Sequence, residues 1–185
     1  VMTGDRVPFK QRPILHRYFL FPFEQSIASE YQILLEVNTQ GAMQIPLKLW
    51  NAQAFFEHIS IEDQLHAVYY GILITVIFFN LFIFSALREP VYLLYVLSTL
   101  GYLLLIASLN GTTFQLIFPD SPAIQNQIML LSVPFAVLFT LLFSRSFLKL
   151  KNTGPTLDRL VVLTITLNAA VAAIIFFVDY STGSR

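Results

Sequence analysis

Four long stretches without a charged side chain constrain this sequence more than any other feature. They cover residues 67–87, 90–119, 121–144 and 160–178. An α-helix needs about 20 apolar residues to cross the roughly 30 Å hydrocarbon core of a bilayer. The stretches therefore predict four transmembrane helices, at residues 67–87, 91–109, 123–144 and 160–178. The core helices of a soluble protein do not fit this pattern, because each of them also presents a charged face.

The composition excludes several classes of protein. Of the 185 residues, 56% are hydrophobic and 12% are charged, whereas an ordinary soluble domain has about 25% charged residues. So few charges cannot cover a globular surface, which argues against a soluble enzyme. The formal net charge is zero, so the chain lacks the excess of basic residues that a nucleic-acid partner requires. The absence of cysteine excludes disulfides, thiolate metal sites and cysteine nucleophiles.

The basic residues of the short loops predict how the helices are oriented. Four of them lie in residues 145–159 and Arg88 lies in the first turn, while only Arg185 falls on the other side. Loops rich in lysine and arginine remain in the cytoplasm. We therefore expect the N-terminal region and the loop that follows Asn110 to lie outside the cell.

The first 50 residues have the pattern of β-structure. Residues 31–38 and 44–49 alternate between apolar and polar, with one lapse at Leu34 and a turn at 39–42, which predicts a hairpin. Residues 14–21 predict a third strand. Three strands cannot close a sandwich alone, so we expect further strands before Val1 and regard the chain as a fragment. Residues 51–66 are expected to form a helical linker into the first membrane helix.

The sequence contains no recognisable catalytic arrangement. No nucleophile, base and orienting group can be assembled, and no glycine-rich phosphate loop is present. We therefore expect no catalytic, cofactor-binding or metal-binding residues, and no cofactor. His58, Glu62 and His66 are spaced four apart and could share a metal, but they span two helical turns and cannot all reach one ion. A solvated polar stripe is the interpretation that we favour.

Two asparagines, Asn80 and Asn168, lie inside predicted spans. A side-chain amide in hydrocarbon needs a partner, so both are expected to face other helices. They are either static contacts or polar contacts that a signal breaks. No charged group lies inside any span, which weakens a proton pump or a charged channel. A transporter remains the alternative, and Pro134 is its only candidate for a broken helix.

Several motifs, in their order and spacing, resemble the bacterial receptors with seven transmembrane helices and diverse intracellular signalling modules. The matching stretches are residues 4–5, RYFLFP at 17–22, IPLKLW at 45–50, YGI at 70–72, FNLF at 79–82, YLLY at 92–95, SLNG at 108–111, FQ at 114–115, FSRSFL at 143–148 and LDR at 157–159. The last two place Arg145, Asp158 and Arg159 at the cytoplasmic end of the third helix and in the loop after it. These three residues are candidates for cytoplasmic-loop contacts.

The resemblance implies a fold and a function. Residues 1–50 would be the C-terminal part of a periplasmic β-sandwich, jelly-roll-like, that senses carbohydrate or a similar small ligand. Residues 67–185 would supply four helices of a seven-helix bundle in the bacterial inner membrane. A cytoplasmic output domain, commonly a diguanylate cyclase or a histidine kinase, would follow outside this chain. The expected partners are membrane lipid, the external ligand, that signalling domain and, in a homodimer, a second copy of the chain.

These expectations combine into a fragment of a sensory receptor. Ligand binding would shift the β-domain against the linker, and the first helix would pass the shift into the bundle. The alternatives are a transporter or a membrane scaffold with an extracellular accessory domain.

Overall fold

The computed structural model of the chain describes residues 4, 7–23, 34–37 and 45–183, with side chains up to residue 177. It divides into two compact units, one of residues 21–68 and one of residues 1–20 together with 69–185. The helices are α1 (Ala52–Leu87), α2 (Pro90–Leu109), α3 (Thr112–Leu116), α4 (Pro122–Phe147), α5 (Leu150–Thr153) and α6 (Pro155–Gly183). A 3-10 turn at Phe9–Gln11 precedes them.

Four of these helices are long and apolar enough to cross a membrane, among the residues that the structure describes. They are α1, α2, α4 and α6. Their large apolar side chains are widely exposed, as at Phe82, Leu163 and Phe177. Continuous apolar surface of this extent marks contact with lipid or with another protein. The prediction of four transmembrane helices is confirmed.

Proline and left-handed residues set the helix boundaries. Proline begins α2, α4 and α6, since its missing amide would have no partner in the first turn of a helix. Arg88, Gly111 and Lys149 adopt positive φ angles just beyond the ends of α1, α2 and α4. Glycine adopts this backbone without strain, whereas arginine and lysine are strained there. The chain therefore turns sharply at both ends of the bundle.

The start of α1 is fixed by a cap and a hydrophobic contact. The Asn51 side-chain oxygen accepts a hydrogen bond from the amide of Gln53 at 3.0 Å. The Trp50 ring lies edge to face with Phe55, at 6.2 Å between centroids, and stacks on His58 at 4.9 Å. This combination of an N-cap with an apolar pair across it fixes the angle at which the chain enters a helix. The helix α1 then continues for 36 residues without a break.

Helix α4 packs against both α2 and α6. Helices α2 and α4 approach closely at two small residues, where a Cβ added to Gly101 would lie 2.7 Å from the Cα of Ala136. One turn away, the hydroxyls of Ser98 and Thr140 lie 2.7 Å apart. Small residues let helix backbones approach closely, and polar side chains join them across the interface. The α2–α4 contact is of this type.

The predicted third strand, residues 14–21, is wrong. The amide of His16 donates to the carbonyl of Ile14 at 2.8 Å, so the backbone makes a three-residue turn within this segment. Residues 34–37 and 45–50 also form no strand among the described residues. A strand needs the hydrogen bonds of a neighbouring strand, and alternation along one segment does not supply them. The rest of the predicted hairpin, residues 31–33 and 38–44, lies outside the described residues.

The α2–α4 contact makes a stability prediction. Gly101→Ala is expected to lower the free energy of unfolding by about 1–3 kcal/mol, because the new methyl group overlaps the backbone of Ala136. Gly71→Ala is the matched control, since nothing lies within 4 Å of the added methyl group. It is expected to be neutral or to stabilise α1 by up to about 1 kcal/mol. Unfolding in detergent measures both, and equal effects of the two variants would contradict the close packing.

Candidate functional site

The N-terminal segment contains a buried cation surrounded by aromatic rings. The Arg12 guanidinium carbon lies 4.4 Å from the ring centroid of Phe19, 4.7 Å from that of Phe9 and 5.4 Å from that of Phe114. Arg12 is only 8% exposed. Aromatic faces attract a cation through their quadrupole, and the attraction strengthens when water is excluded. We call Phe9, Arg12, Phe19 and Phe114 the Arg12 cluster.

The same guanidinium shapes the backbone around it. The Arg12 Nη1 donates to the carbonyls of His16 and Arg17 at 2.8 and 2.9 Å. A buried charge is costly unless polar groups replace its water, and these carbonyls do so together with the rings. In a β-strand these two carbonyls would accept hydrogen bonds from a neighbouring strand. Here they accept them from the Arg12 side chain instead.

The cluster attaches the N-terminal segment to the connection between α2 and α4. The Phe9 amide donates to the carbonyl of Pro119 at 2.8 Å, and the Phe9 ring meets Phe114 edge to face at 5.7 Å. Lys10 and Asp120 form an exposed ion pair at 2.8 Å. The N-terminal segment and this connection therefore lie at the same end of the bundle.

The sequence analysis missed the Arg12 cluster. An arginine between two phenylalanines is a weak local signal, and three of the four members lie within eleven residues. The fourth, Phe114, lies far along the chain in a five-residue helix. Only the tertiary structure brings it to the other three.

At the other end of the bundle, α4 and α6 are joined by an ion pair. The Arg145 Nε and Nη2 donate to the two carboxylate oxygens of Asp158 at 2.6 and 3.1 Å, which is bidentate geometry. Arg145 lies in the last turn of α4 and Asp158 in the first turn of α6, where the helix dipoles favour these charges. Arg159 is exposed and makes no ion pair within the described residues.

The two membrane asparagines differ in their contacts. The Asn168 amide of α6 donates to the carbonyl of Pro134 in α4 at 2.8 Å. The Asn80 amide instead donates to the carbonyl of Val76 in its own helix. Helix α4 continues through Pro134, so the broken helix that a transporter would need is not formed there.

The histidine stripe of α1 shows a packing contact for one of its members. His58 stacks on Trp50, and its neighbours along the stripe are Glu62 and His66. Within the described residues, no group of three histidine or acidic side chains is arranged to hold a metal ion.

The Arg12 cluster predicts the protection of one amide proton. Arg12→Lys is expected to cost about 2 kcal/mol of docking free energy, because a lysine ammonium cannot face three rings and two carbonyls together. Hydrogen exchange of the Phe9 amide should then rise roughly thirtyfold. Lys10→Gln is the control, since an exposed ion pair contributes less than about 1 kcal/mol. Equal exchange in both variants would contradict the role of Arg12.

The ion pair predicts coupling between two substitutions. Arg145→Gln and Asp158→Asn are each expected to lower Tm, since each leaves the partner charge unpaired. The double variant should lose no more than the worse single variant, because both substitutions remove the same interaction. Arg159→Gln serves as the control and should leave Tm unchanged. Additive losses for the double variant would mean that the two residues act independently.

Comparison with known families identifies both parts of the chain. A family model described as 7TM diverse intracellular signalling matches residues 62–185, and one described as 7TMR-DISM extracellular 2 matches residues 1–51. No curated protein and no solved structure matches the chain. The N-terminal region is thus extracellular, and the connection that holds Phe114 lies on that side. The chain belongs to the membrane-spanning sensory receptors of the 7TM diverse intracellular signalling family, as its sequence motifs indicate.

Proposed function

We propose that this chain couples an extracellular ligand to a cytoplasmic signalling domain. Residues 1–50 are the C-terminal part of a periplasmic β-sandwich sensor domain with a jelly-roll-like fold, and the helices lie in a bacterial inner membrane. The ligand is a carbohydrate or a similar small molecule. The output domain is a diguanylate cyclase, a histidine kinase or a related module, and the present chain carries no catalysis of its own. The match of residues 1–51 to an extracellular domain, and of residues 62–185 to a 7TM signalling region, supports the coupling of an extracellular sensor to an intracellular output.

The continuity of α1 is the observation that carries the proposal. Its 36 residues extend about 54 Å at 1.5 Å per residue. That length exceeds the roughly 30 Å of the hydrocarbon core. In this proposal, a movement at Trp50, where the N-cap and the aromatic contact hold the chain, is passed along the continuous helix α1 toward Leu87.

The Arg12 cluster attaches the N-terminal segment to the connection between α2 and α4. It holds the N-terminal segment against Phe114, next to the start of α4. At the same end, the Asn110 amide donates to the Tyr70 hydroxyl at 3.1 Å, which joins α2 to α1. A ligand that changes the position of the sensor domain thus acts on α1 directly and on α4 through the connection.

The contacts between the helices are weak enough to be rearranged by a ligand. Side-chain hydrogen bonds between membrane helices contribute only about 0.6–2 kcal/mol each. The contact between Asn168 and Pro134 and the hydroxyl pair of Ser98 and Thr140 are of this kind. A ligand shifts such a bundle only by its difference in affinity for the two arrangements, and a few kcal/mol is sufficient.

Thermal unfolding of the intact receptor with a panel of mono- and oligosaccharides tests the ligand class. At least one sugar is expected to raise Tm, and amino acids and nucleosides serve as the comparison. A panel in which no sugar raises Tm would contradict the carbohydrate assignment. The sugar that raises Tm most is then expected to change hydrogen exchange at residues 148–154, the connection between α4 and α6 that contains α5.

Insertion of four glycines after Trp50 tests the coupling. The inserted receptor should still bind the sugar, because the sensor domain is intact, but hydrogen exchange at residues 148–154 should no longer respond. Trp50→Phe is the matched control, since a phenyl ring can still pack against Phe55. A response that survives the insertion unchanged would show that α1 does not carry the signal.

A further inference from the structure

A cleft opens at the cytoplasmic end of the bundle, between α1, α2 and α4. Its volume is about 410 Å³. The residues that line it are Asn80, Glu89, Val91, Tyr92, Tyr95, Phe143, Ser146, Phe147 and Lys149. Glu89 stands at the turn before α2 and Lys149 just after α4. Because these turns end apolar spans, the mouth of the cleft lies at the level of the lipid head groups.

The cleft carries two opposite charges that are not paired with each other. Within the described residues, neither Glu89 nor Lys149 has an ion-pair partner within 4.0 Å. Both residues are exposed. Their backbones are fixed by short turns, since Glu89 is extended before Pro90 and Lys149 has a φ of 49°. A ligand with one positive and one negative group would match this pair of charges.

The walls between these charges are aromatic and contain unused hydrogen-bonding groups. Tyr95 lies 5.2 Å from Phe143, and Phe143 stacks on Phe147 at 5.4 Å between centroids. The hydroxyls of Tyr92, Tyr95 and Ser146 make no hydrogen bond within the described part of the chain. Hydroxyls are good donors to a phosphate, and aromatic faces attract an ammonium group.

We propose that this cleft binds the head group of a zwitterionic phospholipid that carries a primary ammonium, as phosphatidylethanolamine does. The ammonium faces Glu89 and the tyrosine rings, and the phosphate faces Lys149 and the Ser146 hydroxyl. The acyl chains lie along Phe143 and Phe147 toward the hydrocarbon core. A purely anionic lipid fits less well, because its head group leaves the Glu89 carboxylate without a cation beside it.

Native mass spectrometry of the intact receptor in detergent tests the site. The probes are phosphatidylethanolamine, phosphatidylcholine and phosphatidylglycerol with identical acyl chains. Occupancy by phosphatidylethanolamine is expected to be at least about fivefold higher than by the other two, since charge-assisted hydrogen bonds to both ends of its head group are available only there. Equal occupancy by the three lipids, or no retained lipid at all, would overturn the proposal.

Substitutions then assign the two charges. Glu89→Gln is expected to remove the preference for phosphatidylethanolamine over phosphatidylglycerol, and Lys149→Gln to lower the occupancy of both. Lys151→Gln is the matched control, because it removes a positive charge at the same end of the bundle from a residue outside the cleft lining. Unchanged lipid preference in Glu89→Gln, with a Tm equal to that of the unmodified receptor, would refute the site. Equal losses of lipid occupancy in Lys149→Gln and Lys151→Gln would mean that occupancy depends only on the general surface charge. That result would also refute the site.

Discussion

The close approach of α2 and α4 at Gly101 and Ala136 lies within the most extensive contact between helices of the described residues. Lipid tails are as apolar as leucine side chains, so apolar burial gives membrane helices little reason to associate. Backbone contact between small residues supplies that reason here, and the hydroxyls of Ser98 and Thr140 add a polar contact one turn away. Helix α6 packs on α4 and so joins this pair.

Helix α4 connects the two ends of the helix bundle. It packs on α2 through Ala136 and on α6 through the contact between Pro134 and Asn168. Its N-terminus follows the connection that holds the Arg12 cluster, and its C-terminus carries Arg145, which pairs with Asp158. The two ends differ physically. The Arg12 cation at the extracellular end is buried among aromatic rings. The Arg145–Asp158 ion pair at the opposite end is partly exposed, so salt screens it.

Much of the membrane region could be predicted from residue order alone. Uncharged stretches of about 20 residues must be helical in a bilayer, because every backbone amide and carbonyl there needs a partner within its own segment. The prolines at 90, 122 and 155 likewise mark helix starts by local chemistry. The prediction of a strand at 14–21 was wrong, because an apolar run that ends at a proline does not show whether a partner strand is present. Arg12 binds the carbonyls of that segment instead.

The sequence by itself determined the number of membrane helices, their order and the family to which the chain belongs, since these depend on local hydropathy and on short motifs. The tertiary structure decided which polar groups meet. It paired Arg145 with Asp158 and left Arg159 exposed, and it directed Asn168 to another helix but Asn80 to its own. It also brought Phe114 to Arg12. Contacts between residues far apart in the chain depend on how helices pack and rotate, and no local pattern encodes that geometry.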